Sequence, residues 1–225
     1  MRKGLTLLAF CLVGLVVPRA DAVIIYQTGL NTTSIPGLTG FSTTGAMMDG
    51  LAVTATFTDG SQMLLWADTG AASGGVTATG WDLSLDGDTF TAPWAFNFAP
   101  GSQLELVSLF LDGRNALTVF DRTLPSSGTD GSAQGRDWFC STGNCNDVTV
   151  TYDYQVGIGG AAPVGDLWQT VFIDWGSNGT RGQFTFQQDT DNDARLNDQV
   201  PEPATLALLG AGLAAMRFTR RRRQP

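Results

Sequence analysis

Five residues near the end of the chain, Asp189-Thr190-Asp191-Asn192-Asp193, are its densest set of groups that could do chemistry. Alternating aspartates present the oxygen donors that a hard cation such as calcium prefers. In a twelve-residue calcium loop the sixth position is glycine and the twelfth a bidentate glutamate. Here those places fall on Ala194 and Val200. Two expectations stand side by side: a compact acidic loop in which Asp189, Asp191 and Asp193 bind calcium with help from other carbonyls, or a solvated linker. Two cysteines form the second candidate. Cys140 and Cys145 enclose Ser-Thr-Gly-Asn, a short turn-prone loop, and predict a disulfide if the chain enters an oxidising compartment. A redox or metal pair fits less well, because the chain has no histidine and the spacing is C-x4-C.

The absence of histidine also excludes Ser-His-Asp triads, Cys-His pairs and histidine-based metal sites. Glycoside hydrolysis needs only two opposed carboxylates. Between residues 23 and 199, however, Glu105 is the only glutamate, in what reads as a plain amphipathic strand. Asp86 with Asp88, and Asp153 beside Tyr152 and Tyr154, are neighbours only in sequence. Aspartates preceding glycine are explained by turn chemistry. No catalytic residue is assigned, and the chain is expected not to be an enzyme.

The elements that must position these groups are strands. Residues 51–58 alternate apolar and hydroxyl side chains with the period of a half-buried strand. Asp59-Gly60 is expected to turn the chain back into 62–67. Asp86-Gly87 separates strands over 81–85 and 89–98, and Asp112-Gly113 separates 104–111 from 115–120. Val148, Val150, Tyr152, Tyr154 and Val156 are expected to share one face. Segments 167–175 and 182–188 complete the set, and 23–27 opens it. No long stretch before the final tail shows helical periodicity. The fold class is therefore all-β, an antiparallel sandwich or jelly roll. Economy of edges suggests that 23–27 lies beside 182–188. The six tryptophans are expected mostly in the core, with room for one or two to form an exposed sugar-stacking platform.

Both ends of the chain carry addresses. Arg2 and Lys3, an apolar stretch over 5–17, Pro18 and Ala20-Asp21-Ala22 read as a signal peptide over 1–22, cut by signal peptidase. A β-sandwich domain over 23–191 and a polar tether over 192–199 are expected to follow. Between 23 and 199 five arginines face 19 carboxylates, with no lysine, for a net charge of −14. Such a surface repels phosphate backbones and argues against nucleic-acid partners. Residues 200–225 then run from Val200-Pro201-Glu202-Pro203 through an apolar segment, 204–216, to Arg217 and the cluster Arg220, Arg221, Arg222 and Arg223. Pro203 suits a first helical turn, and Glu202 complements the helix dipole. Thirteen residues make about 20 Å of helix, short of the roughly 30 Å hydrocarbon core. The arginines should stop transfer and stay cytoplasmic.

This tail resembles the PEP-CTERM sorting signal of Gram-negative bacteria, with Pro201, Glu202 and Pro203 matching its motif. The resemblance implies an exosortase-type membrane enzyme as processing partner, a membrane-anchored intermediate and final delivery to the cell surface or exterior. It implies a setting of extracellular polysaccharide and biofilm, and nothing about what the exported domain does. Residues 182–193 also resemble a stretch of other exported proteins bearing this signal. Three functions are carried forward: a non-catalytic surface or matrix protein, a carbohydrate-binding module with or without calcium, and, least favoured, a glycan-active enzyme.

Overall fold

Period-two alternation becomes strands wherever one face can be buried. The computed structural model describes residues 22–39, 42–123, 128–129, 132, 134–143, 145 and 147–195. Among them the chain forms β1 (Val23–Tyr26), β2 (Thr32–Ile35), β3 (Ala52–Phe57), β4 (Gly60–Leu65), β5 (Ala67–Asp68), β6 (Ser73–Ala78), β7 (Trp81–Asp86) and β8 (Trp94–Phe98). It continues with β9 (Leu106–Asp112), β10 (Thr118–Asp121), β11 (Phe139–Thr142), β12 (Thr149–Ile158), β13 (Leu167–Asp174), β14 (Phe184–Gln187) and β15 (Asp189–Asn192). Only two short 3-10 turns interrupt them, and no helix among the described residues is long and apolar enough to cross a membrane.

Two sheets pack face to face. One runs β1-β12-β13-β9-β3-β4, with β2 also on β12, β10 also on β13, and β15 on β10. The other runs β11-β14-β8-β7-β6-β5. Val53, Leu109, Val150, Val171 and Ile173 line the inner face of the first. They meet an aromatic array on the second: Trp81 stacks on Phe96 at 5.3 Å, Phe96 on Phe184 at 5.1 Å, and Trp94 on Phe186 at 5.6 Å. All six tryptophans are at most 2 % exposed, so none forms the sugar-stacking platform that the sequence left open. Indole rings bury more apolar area than any other side chain, and this sandwich uses them to fill the gap between its sheets.

Several expectations are corrected. β1 does not lie beside 182–188. It pairs in parallel with β12, where Tyr26 stacks on Tyr152 at 5.2 Å, while Phe184 and Phe186 commit β14 to the opposite sheet. The first hairpin turns at Thr58-Asp59, with Phe57 opposite Gly60. A one-residue slip would swing Leu64, which packs on the core, out to solvent. Asp112-Gly113 does not make a hairpin, because both edges of β9 are already taken by β3 and β13, and β10 instead pairs with β13 and β15.

The shared face from Val148 to Val156 is also broken. Tyr154 has φ +59°, a left-handed conformation costly for a bulky residue. It divides β12 into a half paired with β1 and a half paired with β2. Val156 consequently joins a separate small core with Ile35, Val119 and Leu167. The strain is held locally: Asp153 Oδ1 accepts the Tyr154 N–H at 2.7 Å, and Asn31 donates to the same carboxylate at 3.0 and 2.8 Å.

The Cys140–Cys145 disulfide is formed, across the loop that leads out of β11. The fold also extends beyond residue 191. Asn192 is fully buried, and Asp193 N and Ala194 N donate to Leu117 O and Gly37 O, so residues 192–195 belong to the domain rather than to a tether. The rest of the expected tether, 196–199, lies outside the described residues.

Replacing Trp94 by alanine tests whether the aromatic array carries the core. Its ring meets both Trp66 and Phe186, and its Nε1 donates to Gln188 O at 3.0 Å. We expect Trp94→Ala to cost about 3–5 kcal/mol of unfolding free energy in urea titrations.

Candidate functional site

The aspartate-rich segment folds as a strand buried on both faces. In β15 all four residues are buried. Asn192 accepts from Thr43 Oγ1 at 2.8 Å and donates to Met47 O at 3.0 Å. Thr89 Oγ1 reaches Asp189 Oδ1 at 2.9 Å. Gln188, immediately before the strand, donates to the carbonyls of Asp121, Arg136 and Asp189 and accepts from the Tyr152 hydroxyl. Neither the acidic loop nor the solvated linker describes this segment: its period-two spacing is that of a strand, and β10 is its ladder partner.

The ladder brings further carboxylates together. Asp121 lies directly opposite Asp189, and Val119 opposite Asp191, so Asp121, Asp189 and Asp191 share one face of the β10/β15 pair. Like charges set directly across a ladder repel. Asp166 enters from the segment before β13, and its carboxylate accepts from the N–H and, at 2.8 Å, the hydroxyl of Thr129. The Ser132 hydroxyl donates to Asp121 Oδ2. Two buried oxygens, Asp121 Oδ1 and Asp191 Oδ2, have no partner among the described residues. Asp193, the third expected ligand, is instead paired with Arg195. Asp121 and Asp166 were invisible as site residues in the sequence, since each is brought in by a contact distant along the chain.

Burial governs the electrostatics. It pushes the Asp121 carboxyl up to about 8, opposed by the Ser132 hydrogen bond and reinforced by Asp191, Asp189 and Asp166. Asp189 is raised to about 7 by burial, against its Thr89 bond, with Asp191 and Asp88 adding to the rise. Asp191 is raised to about 6 by burial, opposed by Ser132, with Asp166 and Asp88 contributing. No three of the described acidic or cysteine side chains already converge into a ready-made metal cage.

The other carboxylates that the sequence brought forward make contacts of their own, although Asp88 stands near enough to act on Asp189 and Asp191. Asp86 accepts from Ser73 at 2.6 Å, Asp88 caps a turn at the Phe90 N–H, and Glu105 is paired with Arg181. Two open clefts flank the cluster. One, of about 340 Å³, includes Thr129, Val156 and Ala161. The other, of about 390 Å³, is lined by Phe90, Thr123, Gln134, Gly135 and Arg136.

The sorting residues Val200, Pro201, Glu202, Pro203, Arg217 and Arg220–Arg223, with the apolar run between them, lie outside the described residues, as does the expected signal peptide up to residue 21. Comparison with known proteins reaches this tail alone. A family model for the PEP-CTERM protein-sorting motif matches residues 199–223. No curated protein and no solved structure matches the chain. The chain thus carries a PEP-CTERM sorting signal, which marks it for export and for processing by the membrane enzyme exosortase through a membrane-anchored intermediate.

The raised carboxyls fix the sign of a pH dependence. In metal-free buffer the folded state holds these protons more tightly than the unfolded chain does. Their contribution to stability is complete below about pH 4 and is lost as pH rises through about 6, 7 and 8. Urea titrations should show stability falling by a few kcal/mol between about pH 5 and pH 8. Asp121→Asn, which mimics the protonated acid, should flatten that fall.

Proposed function

We propose that this chain is a non-catalytic surface or matrix protein, released to the cell exterior by an exosortase and associated there with extracellular polysaccharide. The observation that carries the reading is the sorting motif matched over residues 199–223. Support comes from the body it is attached to, a β-sandwich whose acidic side chains are used for turns, ion pairs and buried hydrogen bonds. In this reading Arg217 and Arg220–Arg223 halt transfer, residues 204–216 hold the intermediate in the membrane, and Pro201-Glu202-Pro203 is presented at the outer surface for recognition.

A carbohydrate-binding module is the second reading, and the outer face of the larger sheet favours it. A register row crosses that face from Ile25 through Thr151, Phe172, Phe110 and Thr54 to Met63. Phe110 and Phe172 lie side by side at 6.4 Å in its centre, and Phe172 is 37 % exposed. Paired rings flanked by threonine hydroxyls offer a sugar both an apolar face and hydrogen bonds.

Two experiments test these readings. Pro201→Ala, Glu202→Ala and Pro203→Ala should each leave a membrane-retained precursor that keeps its arginine tail, whereas the wild type is recovered outside without it; mass spectrometry of surface-extracted protein reads the difference. Wild-type protein that still ends at Pro225 would sink the processing proposal. In polysaccharide pull-downs, Phe110→Ala and Phe172→Ala should each weaken retention by about threefold to tenfold if the module reading holds, and leave it unchanged if the polymer is bound elsewhere.

A further inference from the structure

We propose that the face shared by β10 and β15 is a binding site for a hard divalent cation, calcium in particular, held between Asp121 and Asp191 with the Ser132 hydroxyl beside them. Positive charge in the domain is scarce and already engaged. The chain between residues 23 and 199 has five arginines and no lysine or histidine. Arg114 is paired with Asp112, Arg181 with Glu105 and Arg195 with Asp193. Arg122 lies over the Tyr26 ring and against Asp137, and Arg136 lies over Phe90 and donates to Gln187. None forms an ion pair with Asp121, Asp189, Asp191 or Asp166 among the described residues.

Geometry supplies the second part. Asp121 is 1 % and Asp191 3 % exposed, yet Asp121 Oδ1 and Asp191 Oδ2 have no hydrogen-bond partner among the described residues. A buried carboxylate oxygen without a partner is expensive, and an array of them more so. The Ser132 hydroxyl donates to Asp121 and lies close enough to Asp191 to act on its carboxyl, which places the two carboxylates around one small group. All the donors are oxygens, which selects a hard cation over zinc or copper. Calcium tolerates irregular shells of six to eight oxygens, whereas magnesium demands a regular octahedron.

Access follows from one glycine. Gly135 lines the cleft of about 390 Å³, and a Cβ built on it would stand 2.5 Å from Asp121 Oδ1. Gly135 thus brings the lining of the cleft against the unpartnered oxygen. Arg136, the cleft's cationic side chain, is turned to Phe90 and Gln187.

The test uses the full chain in mild detergent, stripped with a chelator and dialysed to about pH 7.5. With affinity in the range of extracellular calcium modules, about 0.1–1 mM, adding about 5 mM calcium should raise the melting temperature by roughly 3–9 °C, and magnesium should raise it less. Asp121→Asn and Asp191→Asn should each abolish the shift while folding at least as stably as the chelated wild type, because each replaces a buried carboxyl by a neutral amide of the same shape. Asp59→Asn, at an exposed hairpin, should retain the shift. Titration calorimetry should give one calcium per chain. Equal melting temperatures of the wild type in calcium and in chelator would overturn the proposal. So would a full shift retained by either Asp121→Asn or Asp191→Asn, which would assign the effect to the acidic surface at large.

Discussion

The structure turns on a polar strand that is almost wholly buried. β14 belongs to the six-stranded sheet and β15 to the larger one, so the chain changes sheets at the single residue between them, Gln188. A buried crossover must satisfy its own backbone and side chains or forfeit more than the packing returns. Gln188 does this with its amide donating to three carbonyls, its carbonyl oxygen taking the Tyr152 hydroxyl, and its backbone oxygen taking Trp94 Nε1. Those partners come from β10, β12, β8 and the segment before β11. One residue thereby sets the relative placement of both sheets, and the acid-bearing strand that follows inherits its position from it.

The same constraint explains what the sequence revealed and what it hid. Alternation over 51–58 and 148–153 was legible because one face of each strand packs on an apolar core, and β3 and the first half of β12 lie where that pattern puts them. Asp189–Asn192 has no apolar residue at all, so hydrophobic periodicity is silent there, and only its spacing of two hinted at a strand. Partner choice was less accessible still. β1 selects β12 through Tyr26 on Tyr152, and β10 selects β15 through contacts far apart in the chain, neither of which leaves a local trace. Tyr154 is the sharpest case: nothing in Tyr-Asp-Tyr announces a left-handed residue, and the cause lies in Asn31, which grips the neighbouring carboxylate.

Charge is divided unevenly between the domain and its addresses. The exported part keeps five arginines, each engaged by a carboxylate or an aromatic ring, while five more crowd into residues 217–223. This separation has a mechanical consequence. Positive charge next to the apolar segment resists translocation, and a domain almost free of it presents no competing stop signal. The resulting domain is strongly acidic, and the same scarcity of cations leaves the carboxylates of the β10/β15 ladder without a basic partner.

Folding and sorting also meet closely along the chain. The last described residue, Arg195, is tied to Asp193, whose amide is bonded to Leu117, and the matched sorting signal begins at residue 199. Four peptide steps at most about 3.6 Å each leave no more than about 14 Å between the end of the fold and the start of the signal. β15, the last strand before the signal along the chain, is held by side-chain hydrogen bonds and by its ladder to β10. Whatever stabilises the carboxylates of that ladder also holds the final described strand in place, so the electrostatics of the buried acids and the ordering of the chain that leads to the signal are properties of one structural element.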